Sequence, residues 1–177
     1  PIRGTVVFPT MVIPLLVARE KSVKMIREVL DGDRMLGLFA QKTPEEEDPE
    51  TGDIYRVGVL AQIVKMIKMP DDALRIMIEA VCRIEIIEFT GSDPYFMAKV
   101  QPVLETETES KRLFALSRNA RELFKALVNA SPNLPNELGM ITENIDEAGK
   151  LADIITSSLN LNLEERQSIL EIYDVKE

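Results

Sequence analysis

"ALRIMIEAV", residues 73–81, is the stretch on which the fold turns. Leu74, Ile76, Ile78 and Ala80 alternate against Arg75, Met77, Glu79 and Val81, which is the two-residue period of a strand. Ahead of it, "YRVGVLAQIVKMIKM" (55–69) is a long strand candidate. Proline and aspartates between two such runs are turn chemistry, so the pair reads as a hairpin around Pro70–Asp72. Behind it, "CRIEIIEFT" and "YFMAKVQPV" continue the pattern, separated by the turn signal Gly91-Ser92-Asp93-Pro94.

Working outward to the start of the chain, "TVVFPTMVIPLLV" (5–17) is apolar enough for a helix, but Pro9 and Pro14 each remove a backbone donor. Two short extended pieces, "TVVF" and "VIPLLV", with a kink or an edge position at each proline, fit better. "REKSVKMIREVL" (19–30) then has helical spacing, with Val23, Ile26, Val29 and Leu30 on one stripe and Asp31-Gly32-Asp33 as its stop. "MLGLFAQ" (35–41) is a short apolar strand. The first part of the chain therefore holds five or six strands and one helix.

Near Glu105 the period changes. "ESKRLFALSRNARELFKALVNAS" (109–131) places Leu113, Leu116, Ala120, Leu123 and Leu127 at steps of three and four, a helical core stripe that Phe124 and Val128 widen. A short helix from Asn136 and two further helices, "DEAGKLADIITSSL" and "NLEERQSILEIYDVKE", follow. Asn162 is the expected N-cap of the last, with Glu165 at its third position. The composition shift at "ETETES" (105–110) gives two domains: a β-rich lobe over 1–105 and a helical lobe over 106–177. The fold class is α+β.

Composition narrows the chemistry. The chain of 177 residues carries a net charge of −9 and no histidine. Without histidine it lacks the commonest general base and the usual imidazole metal ligand. Walker-type glycine loops and nucleophile-elbow motifs are absent from the sequence. Catalytic, cofactor-binding and metal sites are accordingly all expected to be none. Six acids crowd "TPEEEDPETGD" (43–53), a polar loop expected to be solvated or disordered. The acidity and the lack of a basic, aromatic stripe disfavour nucleic acid. No apolar run is long enough for a membrane span. Cys82 is a single cysteine, which fits a reducing, cytoplasmic setting and reads as a small buried hydrophobe.

What remains is surface. "KMIKMP" (65–70), at a hairpin end, puts Met66, Ile67 and Met69 near solvent, and methionine suits contact with varied apolar partners. "FPTMVIP" (8–14) raises the same possibility for Pro9, Met11 and Pro14. Its alternative, a kinked edge strand in the core, is favoured for Val12.

The order of these features resembles a known family. "PIRGTVVFPTMVIPLLVAREKSV" is similar to the opening of the amino-terminal domain of Lon, the ATP-dependent serine protease. The similarity continues through "YRVGVLAQIVKMIKMPDDALRIMIEAVCRIEI" and "LADIITSSLNLNLEERQSILEIYDVKE", and so spans the whole chain. Departures are Ala18 and Ala80 where glycine is usual, Asp71-Asp72 for Asp-Gly, and Arg3-Gly4 for arginine with aspartate or asparagine. The resemblance implies a PUA-like barrel plus a helical bundle that recognises unfolded or tagged proteins and supports a hexamer. It also implies that the chain, which starts on Pro1, is part of a longer parent whose ATPase and serine–lysine protease modules use ATP and magnesium. The cofactor expectation for the present residues is none. Two alternatives stay open: a stand-alone binding protein, or an assembly element whose last helix presents Ile169, Leu170, Ile172 and Tyr173. RNA binding, by analogy with PUA domains, is disfavoured by the acidity.

Overall fold

The computed structural model describes residues 1–70, 72–104 and 110–176. These form a mixed α+β chain that divides into two compact units, Pro1–Val103 and Leu104–Glu177. The "ETETES" stretch lies, but for Ser110, outside the described residues.

In the first unit the order is β1 (Val12–Val17), α1 (Glu20–Asp31), β2 (Met35–Leu38), a 3-10 turn (Thr51–Asp53), β3 (Val57–Lys68), β4 (Leu74–Gly91) and β5 (Met97–Pro102). The strands are antiparallel in the order β1–β4–β3–β2, with β5 also against β4. β4 is the hub. One of its sides pairs with β3, and the other takes β1 over Leu74–Glu79 and β5 over Ile84–Gly91. The hairpin between β3 and β4 is closed by the Met69 N–H donating to the Ala73 carbonyl at 2.9 Å. Asp71, at its turn, lies outside the described residues. Ile2 bridges to Ala40, tying the start of the chain beside the end of β2.

The alternation in β4 is realised: Leu74, Ile76, Ile78 and Ala80 are buried, and Arg75 and Glu79 are exposed. Beyond Ala80 it does something the pattern does not announce. Ala61 pairs with Ala80 but Leu60 pairs with Cys82, so Val81 is an extra residue in a β-bulge. Leu60 and Ala61 project to opposite sides, and the bulge therefore sends Cys82 and Ile84 to the side away from Ala80. One apolar alternation thus supplies two cores. The first holds Ile76, Ile78 and Ala80 with Ala61 and Ile63. The second gathers Phe39, Ile54, Ile84 and Ile86, with Leu60, Cys82, Phe89, Phe96 and Ala98 packed against them. Cys82 is half-buried there among apolar neighbours.

Two glycines let the strands close up under Phe39. A Cβ on Gly58 would lie 2.2 Å from the Leu38 carbonyl oxygen and 2.6 Å from the Phe39 ring, and one on Gly37 would lie 2.7 Å from that ring. Neither position has room for a side chain. "VIPLLV" is β1 as expected, with Pro14 in the outermost strand, where a missing donor is tolerated. "TVVF" is not a strand: Val6, Val7 and Phe8 are buried, but the segment runs without a ladder into a turn at Pro9-Thr10.

The second unit contains α2 (Lys111–Ala130), α3 (Glu137–Glu143), α4 (Ala148–Ser158) and α5 (Leu163–Leu170). Ser110 caps α2, its Oγ accepting from the Leu113 N–H at 3.1 Å. Asn162 caps α5 in the expected reciprocal arrangement with Glu165. The expected α2 stripe needs correction. Its buried residues are Leu113, Phe124 and Val128, whereas Leu116 and Leu127 are exposed and Leu123 is 71% exposed. Arg121 explains the rotation. Its Nε donates to the Thr142 carbonyl at 2.9 Å and its Nη2 to that of Ile145 at 2.7 Å. Lys125 pairs with Glu143 on the same side, so the face turned towards α3 is the one bearing Arg121 and Lys125. That ammonium holds the Glu143 carboxyl below the usual glutamate value.

Candidate functional site

The outer face of the first unit is built by register. Directly paired residues project to one side of a sheet, so Leu16, Arg75 and Ile67 form a row across β1, β4 and β3. Pro14, Met77 and Lys65 form the next row, and Val12, Glu79 and Gln62 a third. Leu16 is 66% exposed, Val12 57% and Ile67 48%. These apolar side chains flank a central strip of Arg75, Met77 and Glu79. The β1 margin of the face is therefore apolar, charge runs along its middle, and the β3 margin sets Ile67 beside Lys65 and Gln62.

The nominated contact residues are not one patch. Pro14 and Ile67 share this face. Met66 pairs with Ile76, on the opposite side of the sheet, and is exposed near the hairpin end although Ile76 is buried. Met69 is half-buried where the hairpin closes. Pro9 and Met11 are half-buried in a turn that docks on Ala80, the Thr10 N–H donating to its carbonyl and its N–H to that of Met11. From Ala73 to Ala80 is ~23 Å of strand at roughly 3.3 Å per residue, so this turn is remote from the hairpin end. The Met11 sulfur is also engaged, accepting from the Phe8 N–H at 3.2 Å.

Val12 needs correction: it belongs to the exposed face and not to the core. Leu16, Val64 and Val81, also exposed, were not singled out from the sequence. A signal for Leu16 existed in its spacing from Val12 and Pro14, but "VIPLLV" is apolar on both sides, so the period could not say which side faces out.

The assembly residues are corrected as well. Leu170 is 1% exposed and has no surface to offer another chain. α5 ends there, so Ile172 and Tyr173 lie beyond the helix and the four do not form one helical face. Ile169 is half-buried and Ile172 exposed.

The acidic loop is exposed but tied down. The Gln41 amide donates to the carbonyls of Thr43 and Glu46 at 2.7 and 2.6 Å. Arg3 reaches the carbonyls of Glu46 and Glu47 at 2.9 and 3.2 Å. Lys21 of α1 meets Asp48 at 3.1 Å, and Glu50 caps the 3-10 turn with Asp53 in return. The loop is solvated, one arm of the expectation, and its base is fixed by Gln41, which is fully buried, a fact the loop's own composition does not carry. No described helix is long and apolar enough to cross a membrane.

Comparison with known proteins places this geometry. Residues 1–177 match the family model of the ATP-dependent protease La (LON) substrate-binding domain. Lon protease of Dictyoglomus thermophilum is 43% identical over the whole chain, and that of Desulforamulus reducens 37% identical over 99% of it. The chain spans 22% of the length of each. Among solved structures, the amino-terminal domain of Mycobacterium avium complex Lon protease superposes with a TM-score of 0.74 at 20% identity, covering 98% of this chain and 88% of that one. The Lon N-terminal domain protein of Xanthomonas campestris gives 0.66 at 15% identity, covering 99% and 89%. With its whole length matched, the chain belongs to the family of Lon substrate-binding domains.

Proposed function

We propose that this chain is the non-catalytic, polypeptide-recognising part of a cytoplasmic ATP-dependent serine protease, and that it captures unfolded or tagged proteins for degradation. The observation that carries this reading is the exposed outer face of the sheet, where Val12, Leu16 and Ile67 stand uncovered across three hydrogen-bonded strands. Exposed apolar side chains set beside charged ones suit weak, sequence-tolerant contact with unfolded segments. The parent chain would supply ATP- and magnesium-dependent unfolding and the peptidase. Six copies in its hexamer would raise effective concentration, so a poor single-site affinity is tolerated.

The test is an NMR titration of the 177-residue chain with a denatured model protein. Shifts are expected along β1, β4 and the end of β3, and Leu16→Ser with Ile67→Ser should weaken binding about tenfold or more. Unchanged binding in the double variant would remove this face from the function. A second reading, self-association within the hexamer, is favoured by α2, where Phe114 and Leu123 are exposed. Sedimentation that shows a concentration-dependent oligomer lost on Leu123→Ser would support it.

A further inference from the structure

β3 outruns its outer neighbour. β2 pairs with it from Met35 to Leu38, the Ile63 N–H donates to the Arg34 carbonyl at 2.9 Å, and there the pairing stops. Arg34 is the reason. Its φ of 62° is left-handed, and its N–H donates to the Val29 carbonyl of α1 at 3.1 Å. The chain therefore enters β2 from the helix and not from along the rim of β3. On the inner side β4 goes on pairing with β3 from Lys65 to Lys68. Val64, Lys65, Met66, Ile67 and Lys68 are all exposed, a run that breaks the two-residue period and marks an open rim.

The register says which main-chain groups point outward. The Met69 N–H donates to the Ala73 carbonyl, and in an antiparallel pair the residues that bond across alternate with those that do not. Ile67 and Lys65 thus also bond to β4, and the N–H and C=O of Met66 and Lys68 turn to the open rim. Among the described residues no strand takes them. Donor and acceptor repeated at every second residue are matched by another extended main chain. The outer strand β1 is interrupted by Pro14, whereas β3 has no proline before Pro70. Charge selects the occupant. Lys65 makes no ion pair among the described residues, and Lys68 meets Asp72 at 3.1 Å. A second copy of this rim would add two more lysines to the ribbon, and edge lysines oppose self-pairing. A foreign strand with an acidic side chain beside Lys65 and apolar ones beside Met66 and Ile67 matches both the charge and the hydrocarbon. It would also continue the outer face past Ile67, its β3 margin.

We infer that the β3 rim receives a short apolar and acidic segment of an unfolded polypeptide as an added β-strand, its main chain bonded to Met66 and Lys68 and its carboxylate beside Lys65. This rests on the reading of the chain as a polypeptide receptor. It gives that reading a binding mode in which the main chain, and not side chains alone, is held.

The probe is a fluorescein-labelled, amidated Thr-Val-Val-Glu-Val-Thr peptide, titrated by polarisation into the chain. Two further forms carry N-methyl groups, one on its odd and one on its even residues. An added strand turns only one of these sets of N–H groups to β3, so one form should bind about tenfold weaker and the other close to the parent peptide. Lysine in place of the peptide's glutamate should weaken binding, and Lys65→Glu should reverse that preference. Met66→Pro removes an outward donor while sparing the bonds to β4, and should weaken the parent peptide about tenfold. Should that variant misfold, amide exchange at Met66 and Lys68 of the unaltered chain should slow when the peptide is added. Val12→Ser with Leu16→Ser, on the far side of β4, should leave the difference between the N-methyl forms intact. Equal binding of the two forms, or unchanged exchange at Met66 and Lys68, overturns the inference. So does a dimer in sedimentation that Met66→Pro dissolves, which would give the rim to a second copy. Denatured protein that still binds while the two forms behave alike removes this inference alone, and denatured protein that does not bind at all removes the underlying reading.

Discussion

The root and the tip of the β3–β4 ribbon are made of the same kinds of residue and differ in what covers them. At the root Val57, Val59, Ala61 and Ile63 are all buried, and Ile78, Ala80, Ile84 and Ile86 of β4 are buried in one core or the other. At the tip Val64, Met66 and Ile67 are exposed. The root has neighbours on its edges, with β2 beside β3 and β5 beside β4, whereas at the tip only β1 adjoins. Hydrophobicity is therefore no measure of core membership in this unit. Coverage decides it: at the tip Leu74 and Ile76 of β4 are buried, while Val64, Met66 and Ile67 of β3 stand uncovered.

The largest test of this contrast is at the root. Ile78→Ala should cost about 4 kcal/mol, because it removes a fully buried side chain from a filled space, read as lost amide-exchange protection in β3 and β4. Gly58→Ala should cost roughly 3 kcal/mol, because the added carbon meets the Leu38 carbonyl, which cannot move without breaking the β2–β3 pairing. Ile67→Ser at the tip should change stability by no more than about 0.5 kcal/mol and appear instead in binding. A destabilised Ile67→Ser would show that the tip is covered after all.

The second unit offers the same contrast on one helix. Phe124→Ala should cost about 3 kcal/mol in urea unfolding and Leu123→Ala no more than about 0.5. The two positions are adjacent in sequence, so the pair reports rotation directly.

Titration gives the smallest effects. Lys125 lowers the Glu143 pKa, so the folded unit binds that proton less readily than the unfolded chain. The contribution is whole above the usual glutamate value and fades as pH falls through the depressed one. Tyr95 behaves oppositely. The hydrogen bond to Glu28 raises its pKa, so its contribution is whole below the usual tyrosine value and is lost as pH rises through the raised one. Urea midpoints of Glu143→Gln and Tyr95→Phe against pH should converge on those of the parent chain at the acid and alkaline ends respectively.

These residues also show which parts of the structure were legible beforehand. In β4 the choice was binary, and charge at Arg75 and Glu79 settled it. In α2 the apolar residues Leu113, Leu116, Leu123, Phe124 and Leu127 surround much of the helix, so the stripe was a choice of angle. That angle was set by Arg121 and Lys125, whose partners on and beyond α3 lie some twenty residues away in sequence. The bulge at Val81 was illegible for a related reason, since an unbroken alternation gives no sign that the strand has changed the side it serves. For the site, the hairpin end and the edge strand were visible as segments, but sorting Ile67 from Met66 required the register.

Pro14 has one more consequence. A molecule that displays bare hydrocarbon beside an unpaired strand edge risks recruiting copies of itself into growing ribbons. The pyrrolidine ring interrupts the row of donors along that rim, so an incoming strand finds a gap where a continuous template would propagate. Exposed hydrocarbon and an interrupted edge are in this way set by the same six-residue strand.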